Sequence, residues 1–488
     1  MTEYLLYALL AVGIAISISS IDDLIVDWLW FLTVRKNPHT RRVPPCHEDG
    51  KPRPRIAVFV ANWHEAGVLG RMVEGNLANI TYRPFMFVLG VYPNDLETLR
   101  IAKDLAAEYP DVVRLVVNRQ NGPTSKGQML NEMFEAIYAE PQTAPELVVL
   151  HDSEDIIDPK SFDVFASYSA EYAFIQIPVF SLDSRQRSKV GATYMEEFAE
   201  RHTREMVVRS ALGAFVPSAG VGTCLRRDLI FHFLNSRGHV LQPGTVTEDY
   251  ILGAETHRDG YRSTFVYSRR PQDPTIVATL EYFPKHFWAA VKQKSRWIYG
   301  IAFDATARLG WSGRLWDIFF FYRDRKGAIT NLLAPLSLLL LIMALPVGVK
   351  HQSFSRTLDL ISAAMLAFNA ITMSVRLYFK AISFHEIYGF YGIGGILVRW
   401  PLAILINAIA VLRAWRVFLI ESGLASRPIA WIKTQHELPP VFEPLTRRAP
   451  RPSPSRAFMP ARAASLLWLG AVKLRSRRLV DGRKTNEY

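Results

Sequence analysis

The 488-residue sequence contains only two cysteines, Cys46 and Cys224, which lie far apart and outside any Cys/His cluster. This scarcity argues against a disulfide framework and against a structural zinc site, because both need several closely spaced ligands. The glycine spacing and the Lys-Ser/Thr step of a Walker phosphate-binding loop are missing around Lys126. No Ser-His-Asp or Cys-His set stands out, so the chemistry rests on other residue types.

Positive charge exceeds negative charge in this chain, with a formal net charge of +12 at pH 7. Much of the excess lies in residues 421–488, where thirteen Lys and Arg residues face five acidic residues. A basic segment beside membrane helices is typical of the cytoplasmic side, where anionic lipid attracts it. We therefore predict that this basic, Pro/Arg-rich tail is cytoplasmic and contacts membrane lipid, and we expect no nucleic acid partner.

Long apolar runs predict three transmembrane helices, since about 20 residues cross a bilayer. The first occupies residues 1–34, which lack the basic n-region and the small-residue cleavage site of a removed signal peptide. Residues 329–379 contain the other two, at 329–349 and 360–379. Basic residues directly after the first helix place the following domain in the cytoplasm.

Residues 387–420 are harder to assign, because their apolar core from Trp400 to Leu412 is short for a crossing. An even number of spans between the cytoplasmic domain and the basic tail keeps both on one side. We therefore predict an interfacial or membrane-embedded amphipathic helix here. Three spans are too few to enclose a polymer-sized polar channel, so export of a polymer would need an oligomer or a separate exporter.

Residues 55–325 have the pattern of a soluble α/β domain. Short β-rich runs occur at 56–60, 85–89, 112–117 and 147–150, and the helical stretches between them are 66–79, 95–108 and 127–139. This alternation predicts a mainly parallel sheet with helices on both faces. Ligands of such sheets bind beyond the carboxyl ends of the strands. His64-Glu65, Asp95 and Asp152 all follow predicted strands, so we expect them at one cleft rim.

Two acidic clusters carry candidate chemistry. Asp152 and Glu154 follow the run at 147–150, and Glu248 and Asp249 come about ninety residues later. Carboxylate oxygens are the ligands that Mg²⁺ and Mn²⁺ prefer, so Asp152 and Glu154 are candidate metal ligands. Asp249, with Glu248 beside it, is a candidate general base. Both clusters also suit helix N-caps or solvated turns, and the sequence leaves that alternative open.

A third cluster consists of Gln293, Arg296 and Trp297, whose i, i+3, i+4 spacing puts them on one helical face. The Arg296 guanidinium can bind a diphosphate through two parallel hydrogen bonds, and Trp297 can form a wall for sugar or acceptor. The same residues suit an amphipathic helix at a membrane interface. Lys126 can neutralise phosphate, although a solvated loop lysine is the alternative.

Taken in order, these clusters resemble family 2 (GT-A) inverting membrane glycosyltransferases over about residues 55–300. The similar segments are the strand-loop at 60–65, Tyr92-Pro93-Asn94-Asp95, Lys126 with Leu130-Asn131, Asp152-x-Glu154, Thr247-Glu248-Asp249 and Gln293-x-x-Arg296-Trp297. Glu154 departs from the family pattern, which has a second Asp at that position of its DxD motif. Carboxylate chemistry is kept, but the choice of metal stays open.

The resemblance implies roles for these residues. The donor, a UDP-sugar, would contact His64, Glu65, Asp95, Lys126, Asp152, Gln293, Arg296 and Trp297. Asp152 and Glu154 would hold Mg²⁺ or Mn²⁺. Asp249 would be the catalytic base, with Glu248 as a second catalytic residue.

Over roughly residues 1–440 the chain resembles the phage-adsorption protein B branch of that family. The segments that carry this likeness are 91–95, 322–327, Asn407 with Arg413-Ala414, and 431–436. The branch implies a bacterial inner-membrane enzyme that builds an amino-sugar exopolysaccharide or extends a lipid-linked acceptor, together with an outer-membrane or export partner. Many members carry a C-terminal cyclic-di-GMP-binding domain, and the residues after 440 are too few for one.

A catalytically silent membrane scaffold or receptor in a polysaccharide export complex is the competing hypothesis. Under it, Glu154 would mark the decay of a metal site. The presence of Asp152, Asp249 and Arg296 favours the enzyme. A transporter is disfavoured, because too few of the predicted spans carry polar residues.

Overall fold

The computed structural model describes residues 2–36, 52–183, 188–270, 275–344, 356–389 and 393–422. Most of the tail predicted at 421–488 therefore lies outside the described residues. The strands are β1 Ile56–Ala61, β2 Phe85–Val91, β3 Val113–Val117, β4 Leu147–His151, β5 Phe174–Gln176, β6 Val179–Ser181, β7 Thr223–Arg226, β8 Ser263–Phe265 and β9 Thr279–Glu281.

Helices precede, separate and follow these strands. They are α1 Thr2–Lys36, α2 Leu69–Asn79, α3 Leu96–Glu108, α4 Lys126–Tyr138, α5 Ser161–Tyr168, α6 Lys189–Glu200, α7 Met206–Ala211, α8 Arg227–Arg237, α9 Glu248–Arg258, α10 Phe287–Ile298, α11 Ala305–Leu309, α12 Leu315–Thr330, α13 Leu333–Ala344, α14 Arg356–Tyr388 and α15 Ile393–Arg416. Three π-helical segments continue α6, α10 and α15 at Arg201–Glu205, Tyr299–Asp304 and Val417–Ser422.

Seven strands form the central sheet, in the order β3-β2-β1-β4-β7-β5-β8. Strands β1 to β4 are parallel to one another, and β7 runs antiparallel to both β4 and β5. Strands β6 and β9 pair in a separate parallel ribbon. The predicted mainly parallel sheet is confirmed, and the four predicted strands and three predicted helices correspond to β1–β4 and α2–α4.

Both faces of the sheet are buried, which explains why its strands are apolar runs without polar alternation. In β1, Ala57 and Phe59 face a core that includes Phe134 of α4. Val58 points to the other face, where Met72 of α2 contributes to a second core. Successive side chains of a strand alternate between faces, so helices cover the sheet on both sides.

The strand order creates a crevice between β1 and β4. The chain proceeds from β1 to β2 on one side, whereas β4 adds to β1 on the other side. Segments that follow the two strands therefore diverge at the carboxyl edge of the sheet and leave room for a ligand. Residues 62–65 and 152–154 occupy the two sides of this crevice.

Four helices of the described residues are long and apolar enough to cross a membrane: Tyr7–Thr33, Leu315–Met343, Thr357–Tyr388 and Gly394–Ile420. The first three overlap the predicted segments 1–34, 329–349 and 360–379. The fourth lies within residues 387–420, where we predicted an interfacial or membrane-embedded amphipathic helix. Helix α15 extends beyond the apolar core on both sides and runs for 24 residues, so it is also long enough to cross a membrane. Its interfacial position stays a prediction.

The N-terminal helix α1 is attached to the rest of the chain by ion pairs. Asp22 contacts Arg323 and Lys326 of α12, and the Lys326 ammonium is 2.7 Å from the Asp22 Oδ1 atom. Asp27 lies 3.4 Å from Arg376 of α14. These acids therefore face partner helices, which offsets the cost of burying their charge.

Candidate active site

One cleft at the carboxyl edge of the sheet gathers most of the predicted site residues. It has a volume of about 140 Å³. Its lining includes nine of them, namely Glu65, Lys126, Asp152, Glu154, Glu248, Asp249, Gln293, Arg296 and Trp297. His64 and Asp95 are described residues that lie outside this lining. Segments more than two hundred residues apart in the chain thus meet at one place.

The turn after β4 is fixed by buried hydrogen bonds. His151 Nδ1 lies 2.7 Å from the Asp155 carboxylate, and both side chains are fully buried. The same Asp155 oxygen accepts a hydrogen bond of 3.0 Å from the backbone N–H of Asp152. The Ser153 hydroxyl donates to Asn62, which follows β1. Asp155 and Ser153 therefore brace the turn, and Asp152 and Glu154 are left at the cleft.

A third carboxylate joins Asp152 and Glu154 in the structure. Glu281 ends β9, and the three groups offer oxygen atoms that all lie within 4.8 Å of one another. Burial, reinforced by the charges of Asp155, Glu154 and Asp152, raises the pKa of Glu281 well above its ordinary value. Because three hard oxygen donors converge on one point and repel one another, they fit a divalent cation such as Mg²⁺ or Mn²⁺.

Lys126 is the first residue of α4 and the cation nearest to this acidic cluster. Its ammonium lies 2.5 Å from Asp152 Oδ1 and donates a 3.1 Å hydrogen bond to the Gly220 carbonyl. Burial alone would lower its pKa, but the carboxylates of Asp152, Glu248 and Asp249 outweigh burial and raise the pKa above the ordinary lysine value. Lys126 is therefore a permanent positive charge inside the cleft.

Helix α9 begins at the cleft with Glu248 and Asp249 in its first turn. The backbone N–H of Tyr250 donates to Asp249 Oδ1 over 2.7 Å. The other oxygen, Oδ2, faces the loop at Gly220, where an added Cβ would lie only 2.9 Å away. This loop residue has φ +81°, which glycine adopts without strain. Glu248 and Asp249 thus lie in the first turn of a helix and also line the cleft. The helix-terminus interpretation and the catalytic interpretation are therefore compatible.

Burial shifts the titration of both acids. It raises the pKa of Glu248 to about 7, helped by the charge of Asp249. It also raises the pKa of Asp249, against the Tyr250 N–H and the positive charges of Lys126 and Arg296. A carboxylate with a raised pKa is a stronger base than a solvated one, which suits proton abstraction near neutral pH.

Helix α10 presents Gln293, Arg296 and Trp297 to the cleft. The ring of Trp297 lies 6.2 Å from the ring of Tyr194 and 6.5 Å from that of Phe283, so it belongs to an aromatic wall. Other residues of the helix contact α15. The Lys294 ammonium donates to Asn407 over 3.0 Å and also contacts Glu197 of α6. The helix therefore joins the cleft to a candidate membrane helix.

The turn after β1 explains where His64 and Asp95 lie. Asp95 is buried and accepts hydrogen bonds from the backbone N–H groups of His64, at 2.6 Å, and Thr98, at 3.3 Å. It thereby caps α3 and holds His64 at φ +56°. Their role in donor binding stays a prediction, whereas Trp63 and Tyr92 line the cleft with rings 5.1 Å apart.

Sequence reasoning missed Glu281 as a member of the acidic cluster. The sequence contains a weak signal for this residue, because Glu281 follows the apolar run 276–280 much as Asp152 comes shortly after the apolar run 147–150. The run is broken by a threonine and forms a strand of only three residues. Its partner strand is β6, which was not predicted either, so the weak signal at Glu281 was not recognised.

Residues 52–300 match the sequence family described as "Glycosyltransferase like family 2". This match spans half of the chain and includes every residue that lines the cleft. The chain therefore belongs to this glycosyltransferase family, as the resemblance of its motifs predicts.

Relatives and solved structures agree with this assignment. Bacteriophage adsorption protein B of Escherichia coli strain K12 is 32% identical over 475 residues, which cover 89% of this chain and 63% of the relative. Bacteriophage N4 adsorption protein B of Escherichia coli O157:H7 matches to the same extent. The chain thus spans under two thirds of the length of these curated relatives.

Among solved structures, the chain is similar to a mannosyltransferase from Pyrobaculum calidifontis in complex with GDP-Man and Mn²⁺. The TM-score is 0.54 at 16% sequence identity, and the superposition covers 85% of this chain and 99% of the other. This likeness concerns the fold, and it confirms the predicted GT-A architecture with attached apolar helices.

Proposed function

We propose that this chain transfers a sugar from a nucleoside diphosphate sugar to an acceptor hydroxyl, with inversion at the anomeric carbon. One observation carries the proposal. Asp152, Glu154, Asp249 and Arg296 come from three distant segments and line one cleft. They supply oxygen ligands for a cation, a buried base, and a guanidinium for phosphate.

Asp249 is the general base of this proposal. Its Oδ1 atom is held by the Tyr250 N–H, which leaves Oδ2 for the acceptor. The acceptor hydroxyl gives its proton to Oδ2 while its oxygen bonds to the anomeric carbon. The bond from that carbon to the phosphate oxygen breaks, and its electron pair leaves with the nucleoside diphosphate. Attack opposite the leaving group inverts the anomeric centre.

The cleft also stabilises the negative charge that develops on the leaving diphosphate. Asp152, Glu154 and Glu281 would hold Mg²⁺ or Mn²⁺, which supplies positive charge to the diphosphate oxygens. The guanidinium of Arg296 forms parallel hydrogen bonds to the same phosphates. The ammonium of Lys126 contacts Asp152 and opposes the rise that burial causes in the pKa of Asp249.

Trp297 and the aromatic wall form a flat apolar face for a sugar ring. Sugars present C–H groups on one face, and aromatic side chains bury such surfaces at low conformational cost. Gln293 lies on the same helix and offers an amide to a sugar or phosphate oxygen. Glu248 packs against Gly127 in the first turn of α4.

For the donor we propose a UDP-sugar, and specifically an amino sugar, moved to a growing exopolysaccharide or a lipid-linked acceptor. The resemblance to the phage-adsorption branch supports this choice. A glycan made for the cell surface also fits the phage adsorption after which the Escherichia coli relatives are named. The apolar helices support a position in the bacterial cytoplasmic membrane, with the catalytic domain in the cytoplasm. An export or outer-membrane partner and a homo-oligomer complete the proposal.

The test is the variant Asp249→Asn, which keeps the shape of the side chain and removes the base. Membrane vesicles that contain the protein are given a panel of UDP-glucose, UDP-N-acetylglucosamine and GDP-mannose, with Mn²⁺. We expect nucleoside diphosphate release to fall by about 100-fold or more in this variant, the usual range for loss of a general base. Asp104→Asn, on the exposed surface of α3, is the control and should keep the wild-type rate.

An unchanged rate of release in Asp249→Asn would remove the proposed base. Tight UDP binding by the wild-type protein without turnover of any donor would instead support the silent scaffold. The two outcomes are separated by measuring UDP binding and release on the same vesicles.

A further inference from the structure

The segment 322–327 is a feature of the sequence that the cleft does not use. It lies in α12, within the candidate membrane span Leu315–Met343, and none of its residues lines the cleft. Its third residue, Asp324, is nevertheless almost fully buried, with 2% of its side chain exposed. A buried carboxylate is costly unless its partners are fixed, so its contacts indicate what it does.

The first contact of Asp324 is with α9, the helix that begins with Glu248 and Asp249. The Tyr250 hydroxyl donates to Asp324 Oδ2 over 2.8 Å. Tyr250 directly follows Asp249, and its backbone N–H donates to Asp249 Oδ1 over 2.7 Å. Two consecutive hydrogen bonds through one residue therefore connect Asp324 to the proposed base. The Tyr250 ring is also held edge-on against Phe215, with centroids 5.8 Å apart.

A second contact fixes Asp324 itself. Arg209, which is fully buried, donates to the same Oδ2 atom over 2.7 Å. Its guanidinium lies over the ring of Phe320, 4.4 Å from the centroid, so it has little room to move. A buried pair of this kind is strongly destabilised when one member is removed, because the other charge is left uncompensated.

The neighbouring residues of the segment bind the N-terminal helix. Arg323 contacts Asp22 and lies 2.9 Å from Glu205, and the Lys326 ammonium donates to the Ser19 carbonyl over 2.8 Å. One turn of α12 thus contacts α1 through residues 323 and 326, and it contacts α9 through residue 324. Its position is fixed from both sides.

We propose that Asp324 is a positioning residue for the reaction, which acts through Tyr250 to aim the carboxylate of Asp249 at the acceptor. This inference rests on the proposed role of Asp249 as the general base. It gives the 322–327 segment a function in catalysis in addition to its function in attaching α1.

The test is Tyr250→Phe, which removes one oxygen atom and leaves the ring and the Arg209–Asp324 pair in place. We expect kcat to fall by about tenfold or more, since small displacements of a catalytic group have effects of that size. The KM for the sugar nucleotide should stay within about twofold, because Tyr250 does not touch the donor site. The acid limb of the kcat/KM profile should move to higher pH, because a loosened Tyr250 N–H stabilises the ionised Asp249 less well.

The matched control is Tyr82→Phe. Tyr82 is equally buried, at 2% exposure, and its hydroxyl donates to the Pro54 carbonyl over 2.8 Å at the far edge of β1. It should keep the wild-type kcat and pH profile. Asp324→Asn is a second variant, which should reproduce the shift of the acid limb, with UDP binding as the check that the fold is intact.

All variants are assayed with the sugar nucleotide that gives the fastest release in the panel of donors, beside Asp249→Asn. A loss of kcat together with a moved acid limb in Tyr250→Phe, absent from Tyr82→Phe, supports the proposal. If Asp249→Asn is inactive, any other pattern of kcat and pH dependence in Tyr250→Phe and Tyr82→Phe overturns the proposal. If Asp249→Asn is itself active, the proposed base has failed and not the positioning alone.

Discussion

At the scale of single residues, the cleft contains more carboxylates than basic side chains. Six acids line it, namely Glu65, Asp152, Glu154, Glu248, Asp249 and Glu281, against the two basic residues Lys126 and Arg296. Like charges at such distances repel strongly when they are shielded from water. The raised pKa values of Glu248, Asp249 and Glu281 express this repulsion together with burial. A bound divalent cation would offset part of this excess of negative charge.

Glu281 provides the residue-scale prediction. Glu281→Gln keeps the size of the side chain and removes one of three candidate ligand charges. We expect the Mn²⁺ concentration for half-maximal nucleoside diphosphate release to rise by about tenfold or more, as is usual when a metal site loses a supporting group. Mn²⁺ binding, followed by electron paramagnetic resonance in the presence of UDP, should weaken in parallel.

The control for this variant is Glu171→Gln, an exposed acid that pairs with Arg262 away from the cleft. It should leave the dependence on Mn²⁺ unchanged. An unaltered Mn²⁺ dependence in Glu281→Gln would show that two carboxylates suffice and that Glu281 has another task.

The individual residues were largely predictable, because their spacing relative to strands and helices has chemical meaning. Asp152 and Glu154 follow a strand whose end is recognisable, and Gln293, Arg296 and Trp297 share a face by helical periodicity. Glu281 and Asp324 were not assigned to the site. Their importance depends on which side chains surround them, and these come from segments distant in the chain.

At the scale of elements, the site depends on how α9 and the segment after α10 meet. Gly300 lies in the π-helical segment Tyr299–Asp304, and a Cβ added there would overlap the side chain of Thr247. Thr247 is the residue from which α9 starts, immediately before Glu248 and Asp249. The absence of a side chain at Gly300 therefore permits the close approach of this segment to α9, which carries Glu248 and Asp249 at the cleft.

Gly300→Ala is the element-scale prediction. The added methyl group has to displace Thr247, and overpacking of this kind costs about 1–3 kcal/mol. We expect a lower unfolding temperature in detergent, and a rate of nucleoside diphosphate release reduced by about tenfold or more through displacement of the base. Thermal unfolding and the release assay on the same preparation measure both effects.

Gly70→Ala in α2 is the matched control, because its nearest neighbour would be Ile101 at an ordinary contact distance of 3.7 Å. Gly70 is the second residue of α2, and alanine has a higher helix propensity than glycine, so this variant should be about as stable as the wild type. Equal stability and activity of the two variants would contradict the account of the α9 contact.

Elements were predictable where burial leaves a clear pattern. Strands β1, β2 and β4 are buried almost throughout and appear as apolar runs of fitting length, and the partly buried edge strand β3 is also mostly apolar. Strands β5, β6, β8 and β9 have three residues each, which is too short for a pattern. The π-helical segments were not predicted, because they are only five or six residues long and directly continue α-helices.

At the scale of the whole molecule, the apolar helices are part of the architecture of the site. Helix α15 contacts α10, which carries Arg296, and Trp30 of α1 donates from its indole to the Thr203 carbonyl over 2.9 Å. The helices that the sequence marks as membrane segments therefore brace the catalytic domain directly. Their apolar length was evident from the sequence, but their docking onto the domain was not.

The number of spans has a consequence for topology. If α15 crosses the membrane, three spans follow the catalytic domain, and residues after α15 lie on the opposite side. If α15 lies in the interface, two spans follow, and the basic tail shares the side of the catalytic domain. Basic residues favour the cytoplasmic side, which supports the second arrangement.

The central claim is that three distant segments form one site for a nucleoside diphosphate sugar. The most direct measurement is a structure of the purified full chain with UDP and Mn²⁺. We expect the diphosphate within hydrogen-bonding distance of Arg296, and the Mn²⁺ in contact with the carboxylates of Asp152 and Glu281. A nucleotide bound elsewhere, with Arg296 and Asp152 facing separate surfaces, would contradict the account.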